Sequence, residues 1–463
     1  MSHDPIVGGG SAANLWEAMF STPEMAALFS GAAFVERMLR FEAALARAEA
    51  RAGVIPGAAA DAIAARCRID LIDLRALFQE SAGAATPAVP LVRMLTALVE
   101  ADAKRYVHWG VTSQDATDTA MMLQAREGLD LLVKGLLAAG DRAAALAREH
   151  RRTPMAGRTF LQQAVPISFG LKAARWLAAI SRGVVRLREV RESALALQFG
   201  GAAGTLASLG ERAEDVATNL SEELNIPRPD LPWHAERDRI GEIAAAVAIT
   251  TGSMAKIASD LVLLSQTEVG EVSTAGAGGG RSSAMPHKRN PVQATGALAA
   301  SRLAAGAAAT LLGGMAHEHE RAVGALQSEW QAFPDLFRAA AGAVEHVAGA
   351  LAHLEVYPDR MRANLEQGGG LLMTEALMMA LAERMGRTDA YAIVEHVAGR
   401  AARGGVTLHD AASSDERISA VLSPADLTRV LDPAAYLGSV DQFIDRALDG
   451  YRRVRASGGP ATP

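Results

Sequence analysis

The sequence predicts an all-α protein built around a central bundle of long helices. Half of the 463 residues are hydrophobic, and the apolar positions recur with helical spacing, while strand-like alternation is scarce. Long stretches in the middle of the chain lack proline, a residue that removes a helical hydrogen bond and clashes with the preceding turn. Only 5% of the residues are aromatic, so Ala, Leu, Val and Met must form most of the core.

Length and composition limit the classes of protein to consider. At roughly 100 to 200 residues per domain, 463 residues predict about three domains. The 46 Lys and Arg residues against 52 Asp and Glu residues give a net charge of −6, which argues against a nucleic-acid-binding surface. Cys67 is the single cysteine, so neither an intramolecular disulfide nor a multi-cysteine metal site is expected. Residues 1–14 lack the pattern of an export signal and no apolar run is long enough to span a membrane, so we expect a cytoplasmic protein without a membrane partner.

The chain begins with shorter helices, continues with long ones and ends with short helices again. Within the first long stretch, Leu129, Leu132 and Leu136 lie on one face of a helix, which predicts an apolar stripe. The turns near Gly368 and Gly404 indicate short helices in the last part of the chain. The short N-terminal helices are predicted at 34–52, 58–66 and 71–81, and the proline-free stretches are 114–153, 167–198, 233–274, 292–333 and 335–357.

These elements predict three domains and an oligomer. The N-terminal helical domain is expected at 1–112, the central long-helix bundle at 113–365 with a glycine-rich loop at 276–291, and the C-terminal helical domain at 366–463. In the third long stretch, Val262 and Leu263 add apolar positions outside the stripe that contains Met254 and Leu261. A helix that is apolar on more than one face must be buried on more than one face, so we expect a homo-oligomer.

Three short segments at the margins of the long helices are dense in polar side chains: residues 108–115, 157–166 and 276–291. A bundle brings helix ends together, and such convergence builds composite sites. In the first segment, Thr112 and Ser113 are suited to cap the following helix, where hydroxyls and free N–H groups also receive a carboxylate. A plain helix cap is the alternative interpretation. The second segment, with Arg158 and Gln162, is equally compatible with an ordinary polar loop.

The third segment has the richest chemistry. A glycine-rich run is followed by paired serines, then by His287, Lys288, Arg289 and Asn290. The combination offers a mobile backbone with a potential nucleophile, base and anion-binding groups. It is not a P-loop, because the Gly-Lys-Ser/Thr ending is absent and no predicted strand precedes it. The alternative is a flexible surface loop.

Residues 282–291, Ser-Ser-Ala-Met-Pro-His-Lys-Arg-Asn-Pro, resemble the signature of the fumarase/aspartase superfamily. These lyases add or remove groups next to a carboxylate. The other two polar segments fall at the superfamily's other two conserved regions, and residues 200–205 are similar to a further family segment, so the resemblance covers essentially the whole chain. It implies a homotetramer and a small polycarboxylate substrate. It implies neither a cofactor nor a metal. Because three segments at different helix ends of one long bundle need not meet within one chain, we also expect sites shared between subunits.

Branch-specific positions favour one family within the superfamily. Adenylosuccinate lyases carry a histidine where this chain has Phe160, and an Arg-His-Asp stretch where it has residues 86–92. Segments that instead resemble the bacterial 3-carboxy-cis,cis-muconate cycloisomerase family are 158–166, 318–321, 328–330, 431–438 and 443–446. That family often has tryptophan in place of Phe160 and glycine in place of Arg281, so the exact substrate stays open.

The resemblance implies lactonisation of 3-carboxy-cis,cis-muconate, in the protocatechuate branch of the β-ketoadipate pathway of aromatic hydrocarbon catabolism. Ser282 would be the general base of the elimination direction and would deliver the proton in the lactonising direction, while Lys288 would stabilise the carbanion. His108 is an alternative proton donor, because the ordinary pKa of histidine is ~6.5, or else a buried structural histidine. The implied substrate-binding residues are Thr112, Ser113, Arg158, Gln162, Met285, Asn290 and Arg321.

Three alternatives stay open at this point. The chain could be an adenylosuccinate lyase or another β-elimination lyase of the superfamily, or a helical structural protein that has lost catalysis. A metal site at His317 and His319 is not expected, because side chains two residues apart on a helix point about 200° apart.

Overall fold

The computed structural model describes residues 16–274, 280, 284–285 and 287–457. Their contacts form two compact units. Unit 1 comprises residues 16–136, Gly183–Ala255 and Gly296–His346, and unit 2 comprises Leu137–Arg182, the described part of 256–295, and residues 347–457. Helices dominate the described residues, which confirms the all-α prediction.

The N-terminal part of unit 1 consists of short helices around their own core. Ser30 caps the third helix by accepting a hydrogen bond from the Ala33 N–H, and Asp73 caps the fifth in the same way. Met38, Leu39, Ile63, Leu77 and Leu91 are among the buried side chains of this core. The helices are α1 Glu17–Phe20, α2 Pro23–Leu28, α3 Gly31–Arg51, α4 Gly57–Arg66, α5 Leu74–Ala84 and α6 Ala88–Leu98.

The long helices follow, and most of them lie where the proline-free stretches place them. Leu129, Leu132 and Leu136 are buried, as are Met254, Ile257 and Leu261, so the predicted apolar stripes form the core faces. The helices in this part of the chain are α7 Ser113–Glu149, α8 Phe169–Ser193, α9 Ala213–Leu224, α10 Asp238–Ser265, α11 Val292–Gly313 and α12 Ala325–Ala352.

The prediction of a single helix over 292–333, ended by Pro334, is wrong. The helix ends instead at Gly313, and α12 begins at Ala325, directly after Gly324 with its positive φ of 99°. Pro334 lies inside α12. The neighbouring Phe333 and Phe337 rings pack on Phe29, at centroid distances of 6.4 and 4.9 Å. Aromatic burial at this point offsets the helical hydrogen bond that the proline removes.

The second polar segment is a β-hairpin in unit 2, which the sequence did not predict. Strand β1, Pro154–Thr159, pairs antiparallel with β2, Gln162–Ser168. Phe160 and Leu161 form the two-residue turn with φ of 51° and 62°, the conformation that tight hairpin turns require. Asn and Gly are the usual residues there, so two apolar residues gave no turn signal. A short second pair joins β3 Val272–Ser273 and β4 Glu355–Val356.

The C-terminal part of unit 2 has a separate core. Leu377, Leu381, Val397 and Ile418 are buried in it, and Thr407 and Ser423 cap two of its helices. The helices are α13 Pro358–Glu366, α14 Thr374–Met385, α15 Arg387–Gly404, α16 Leu408–Ser413, α17 Glu416–Ser419, α18 Pro424–Val430 and α19 Val440–Ala456.

Two of the described helices, α10 and α11, reach the length and apolar content of a membrane span. Buried core helices reach the same values, and both helices contain fully buried residues, among them Ile243 and Met254 in α10 and Ala297 in α11. Length and composition of these two helices therefore do not indicate a membrane protein by themselves.

Candidate active site

The first polar segment forms the N-terminus of α7 in unit 1. Ser113 is the first helical residue, so Thr112 is the N-cap. The Asp115 carboxylate accepts the Thr112 N–H at 3.0 Å, and the Asp115 N–H donates to the Thr112 carbonyl at 3.1 Å. The Asp115 side chain thus satisfies the N-cap N–H, which is one of the two side-chain bonds of a capping box. A hydroxyl cap was expected at Thr112, but its Oγ1 accepts a bond from Arg321, and the Asp115 carboxylate supplies the capping bond.

Asp115 also organises the surrounding backbone of unit 1. It is fully buried, and besides Thr112 it accepts the N–H groups of Gly200 at 3.0 Å and Gly201 at 2.9 Å. Its Oδ1 lies 2.7 Å from Nε2 of His234. A side chain at Gly200 would collide with this ring, since a Cβ there would lie 2.6 Å from Cε1 of His234. Charge-assisted bonds of this kind are among the strongest in proteins, so the segment at 200–201 is fixed against α7.

Arg321 brings a cation to the same place. Its Nη1 donates to Oγ1 of Thr112 at 2.8 Å, and its Nη2 donates to the carbonyl of Ala202 at 3.0 Å. The predicted binding residues Thr112 and Arg321 are therefore in direct contact within unit 1. Both acceptors are neutral, so neither balances the positive charge of the guanidinium. This charge suits Arg321 to a carboxylate ligand.

His108 lies five residues before α7 in an unusual backbone conformation. Its φ is 58°, in the left-handed region, and its Nδ1 lies 2.7 Å from Oε1 of the buried Glu42. Burial lowers the pKa of His108, while the charge of Glu42, the hydrogen bond to Glu42 and the charge of Asp115 raise it. The raising effects prevail, so the pKa of His108 lies above its ordinary value.

A buried ion cluster lies near the N-terminus of α7. Arg237 is almost completely buried and pairs with Asp118 at 2.7 Å and with Glu329. The guanidinium also stacks over the Trp233 ring, 4.9 Å from its centroid, and Nε2 of His317 lies 3.4 Å from Glu329. Burial raises the pKa of Glu329, but the bonds and charges of His317 and Arg237 outweigh it and hold that pKa below its usual range.

Arg158 lies in unit 2, on strand β1. Its guanidinium makes two parallel bonds, of 2.9 and 2.6 Å, to the fully buried carboxylate of Glu271. The same carboxylate accepts Nδ2–H of Asn364 at 2.8 Å. The neighbouring Gln163 donates to the Asn364 carbonyl at 2.9 Å, whereas Gln162 is exposed. The fork of Arg158 thus ties the hairpin to Glu271.

The described part of the third polar segment is a surface loop of unit 2. Lys288 is exposed, and its N–H donates to the Met285 carbonyl at 2.9 Å. Nδ2 of Asn290 donates to the carbonyl of Gly280 at 3.1 Å, which closes the loop. Ser282 lies outside the described residues.

Several residues of these clusters escaped the sequence analysis: Asp115, His234, Glu42, Glu271 and Asn364. His234 is 4% exposed and bound to Asp115. Glu42 and Glu271 each lie more than 60 positions from the side chain they bind. Glu42 alone gives a sequence signal, as a charged residue at a position of α3 that should be apolar.

His317 and His319 do not form a metal site together. His317 is buried against Glu329, while His319 is exposed and has a φ of 47°. Across the described residues, no group of three or more His, Cys, Asp or Glu side chains is arranged to hold a metal ion.

Comparison with known proteins identifies the family. A lyase family model matches residues 18–306, and a model of the adenylosuccinate lyase C-terminus matches residues 370–447. A 3-carboxy-cis,cis-muconate cycloisomerase of Pseudomonas aeruginosa is 46% identical over 96% of this chain and 98% of its own. A nitrosuccinate lyase of Streptomyces davaonensis is 42% identical over 94% of each chain. The crystal structure of the 3-carboxy-cis,cis-muconate lactonizing enzyme of Pseudomonas putida superposes with a TM-score of 0.90, at 41% identity, covering 95% of this chain and 99% of that one. The chain therefore belongs to the lyase family of the fumarase/aspartase superfamily that includes the 3-carboxy-cis,cis-muconate cycloisomerases.

Proposed function

We propose that this chain is a cycloisomerase that lactonises 3-carboxy-cis,cis-muconate, in the protocatechuate branch of aromatic catabolism. The observation that carries the proposal is the near-complete alignment, at 46% identity, with a cycloisomerase of that name. Phe160 supports it, because a phenylalanine at the hairpin turn lacks the acid–base group that adenylosuccinate lyases have there.

The reaction needs no group from outside the substrate except a proton. One carboxylate oxygen adds to a carbon of the double bond, and the electron pair of that bond moves to the adjacent carbon. That carbon is a carbanion conjugated with a carboxylate until a proton donor forms the new C–H bond. The energetic difficulty is the doubly charged enediolate-like intermediate, so the site must aim cations and hydrogen-bond donors at its oxygens.

Lys288 and Asn290 take this task in the proposal. Lys288 offers an exposed point charge, and Asn290 offers a neutral donor at the base of the same loop. Proton delivery falls to Ser282, with His108 as the alternative donor. A serine hydroxyl is a weak acid and a weak base, so Ser282 would depend on Lys288 and on loop N–H groups.

The remaining carboxylates of the substrate are assigned to residues around the α7 N-terminus and the hairpin. Arg321 and Thr112 already form a joined cation and hydroxyl, with Ser113 beside them. Arg158 has its charge balanced by Glu271, so its contribution to an anion is smaller than that of Arg321. The full proposed binding set is Thr112, Ser113, Arg158, Gln162, Met285, Asn290 and Arg321.

We further propose a cytoplasmic homotetramer whose sites take residues from more than one subunit, with domain boundaries near residues 112 and 365. Apolar side chains left on the surface support association: Leu303 and Leu312 on α11 are 52% and 45% exposed, and Phe160 is fully exposed. Mixing Ser282→Ala protein with a Thr112→Ala, Ser113→Ala variant, under conditions of shown subunit exchange, should restore part of the activity. Mixed oligomers without any recovered activity would contradict shared sites.

A substrate panel tests the function. The purified protein is incubated with 3-carboxy-cis,cis-muconate, adenylosuccinate and nitrosuccinate, and ultraviolet absorbance is followed. We expect turnover of the muconate alone. Turnover of adenylosuccinate or nitrosuccinate instead would show a β-elimination lyase.

A Ser282→Ala variant tests the role of Ser282. If the variant had the activity of the wild type, Ser282 would not have its proposed role.

A further inference from the structure

We propose that Glu42 is a positioning residue that holds His108 as the proton donor of the reaction. This inference rests on the proposed function, because it chooses between the two candidate donors of that site. It gives His108 the delivery of the proton to the carbanion and gives Glu42 control over the orientation and charge of the imidazole.

The contact is short and well buried. Oε1 of Glu42 lies 2.7 Å from Nδ1 of His108, and the side chain of Glu42 is 1% exposed. Among the described residues, the Oε2 atom of Glu42 has no hydrogen-bond partner, so the imidazole is the group that this carboxylate binds. An ion pair with one imidazole is the simplest way to keep a carboxylate charged at such a buried position.

The backbone around His108 is held in place at some energetic cost. His108 has a φ of 58°, and Gly110 has a φ of 72°. A Cβ on Gly110 would lie 2.6 Å from the Leu209 side chain, and the Gly110 carbonyl accepts Oγ–H of Ser208 at 3.3 Å. Left-handed residues other than glycine persist where the surroundings determine them, and they are concentrated at functional sites. The loop is therefore built to present the ring of His108.

Ionisable groups lie on both sides of this pair. Asp115 acts on His108 from the N-terminus of α7. On the other side of Glu42, Glu49 is two turns along α3 and fully buried, and Cys67 lies near enough to interact with Glu42 and with Arg47. Burial and the charge of Glu42 raise the pKa of Glu49 to about 9, so Glu49 is neutral at pH 7 and adds no charge beside Glu42.

The two ring nitrogens of His108 have different roles. Nδ1–H donates to Glu42, which fixes the ring and leaves Nε2 as the exchangeable position. The ring side chain is 16% exposed, whereas Glu42 is closed to solvent. In the reaction, the Nε2–H bond breaks and the electron pair of the carbanion forms the C–H bond. The imidazolium becomes a neutral imidazole, still bound to Glu42 through Nδ1–H, and later regains a proton from water.

The test compares Glu42→Gln with Glu42→Asp. Gln keeps an acceptor for Nδ1–H but loses the charge, and Asp keeps the charge. Glu36→Gln, at an exposed position of the same helix, is the matched control. The NMR titration of His108, assigned with His108→Gln, reports the coupling without any turnover. We expect Glu42→Gln to lower the pKa of His108 by at least one unit.

Kinetics then test the role in the reaction. Glu42→Gln should reduce kcat about 10- to 100-fold with little change in KM, and the alkaline limb of the pH profile should move to lower pH. Glu42→Asp should recover part of kcat, and Glu42→Gln should have no further effect on turnover in the His108→Gln background. An unchanged His108 titration, or an unchanged pH profile in folded Glu42→Gln, would overturn the proposal. A wild-type protein that does not lactonise the muconate would contradict the proposed function separately, while the titration still decides the coupling.

Discussion

The Asp115 cluster of unit 1 and the 280–290 loop of unit 2 hold their polar groups in opposite ways. Around Asp115, each carboxylate oxygen already has partners, and the group is buried. In the loop, Lys288 and Met285 face solvent, and the Asn290 side chain closes the loop on Gly280. Charges whose partners lie within the chain stabilise a geometry, whereas exposed charges remain available to a ligand. Substitutions in the two regions should therefore separate stability from activity.

The largest expected effect is on stability, in the ion cluster near the Asp115 site. Arg237→Gln leaves Asp118 and Glu329 buried without their cation and should cost about 3–5 kcal/mol of unfolding free energy. The urea unfolding midpoint measures it. The control Arg151→Gln removes a surface pair with Asp445 and should cost less than about 1 kcal/mol. Equal losses in both variants would contradict the larger cost expected for breaking the buried pairs.

The next effect is on activity alone. Lys288→Met should lower kcat/KM about 100- to 1,000-fold, as the loss of a group that stabilises an anionic intermediate does, while the melting temperature stays within a degree or two of the wild type. Lys256→Met, at an exposed position of α10, is the control. A Lys288→Met protein that keeps its activity, or loses it by unfolding, would remove Lys288 from the proposed role.

A third effect depends on pH. Glu49 keeps its proton in the folded state up to about pH 9 but loses it near pH 4.5 when unfolded, so stability falls as pH rises between these values. Glu49→Gln has no proton to lose. Its unfolding free energy should therefore rise, relative to that of the wild type, by up to about 1.4 kcal/mol per pH unit above pH 5. Thermal melts at pH 5, 7 and 8.5 measure the difference. A difference that does not grow with pH, as expected for the exposed control Glu36→Gln, would show that Glu49 is ionised in the fold.

The smallest effect concerns a single hydrogen bond. Thr112→Val removes the acceptor for Nη1–H of Arg321 and should raise KM about fivefold, the equivalent of roughly 1 kcal/mol, with little change in kcat. Thr310→Val, at an exposed position of α11, should leave KM unchanged. An unchanged KM in Thr112→Val would indicate that this contact does not orient Arg321 for substrate.

The helices were predictable because local spacing determines them. The buried stripe at Leu129, Leu132 and Leu136 follows directly from its period. The hairpin was not, since Phe160 and Leu161 adopt a turn conformation without turn residues. The break at Gly313 was missed because no proline marks it. The end expected at Pro334 was wrong because aromatic packing, which depends on tertiary contacts, compensates the proline inside α12.

The residues of the candidate site also fall into a group that could be predicted from the sequence and a group that could not. The polar segments were identified by their residue types, among them His108 and Thr112, whereas Arg321 was implied only by the family resemblance. Their partners were not: Glu42 and His234 are defined by contacts across 66 and 119 positions of the chain. A single sequence without homologues carries no signal for such pairs beyond an unexpected charge on a buried helix face.

One measurement tests the proposed lactonisation most directly: turnover of 3-carboxy-cis,cis-muconate in D2O, followed by proton NMR. We expect a carboxymuconolactone that carries one deuterium at the carbon next to the carboxylate, because the carbanion takes its proton from a solvent-exchangeable donor. An unconsumed substrate, or a product without the lactone ring, would contradict the proposal.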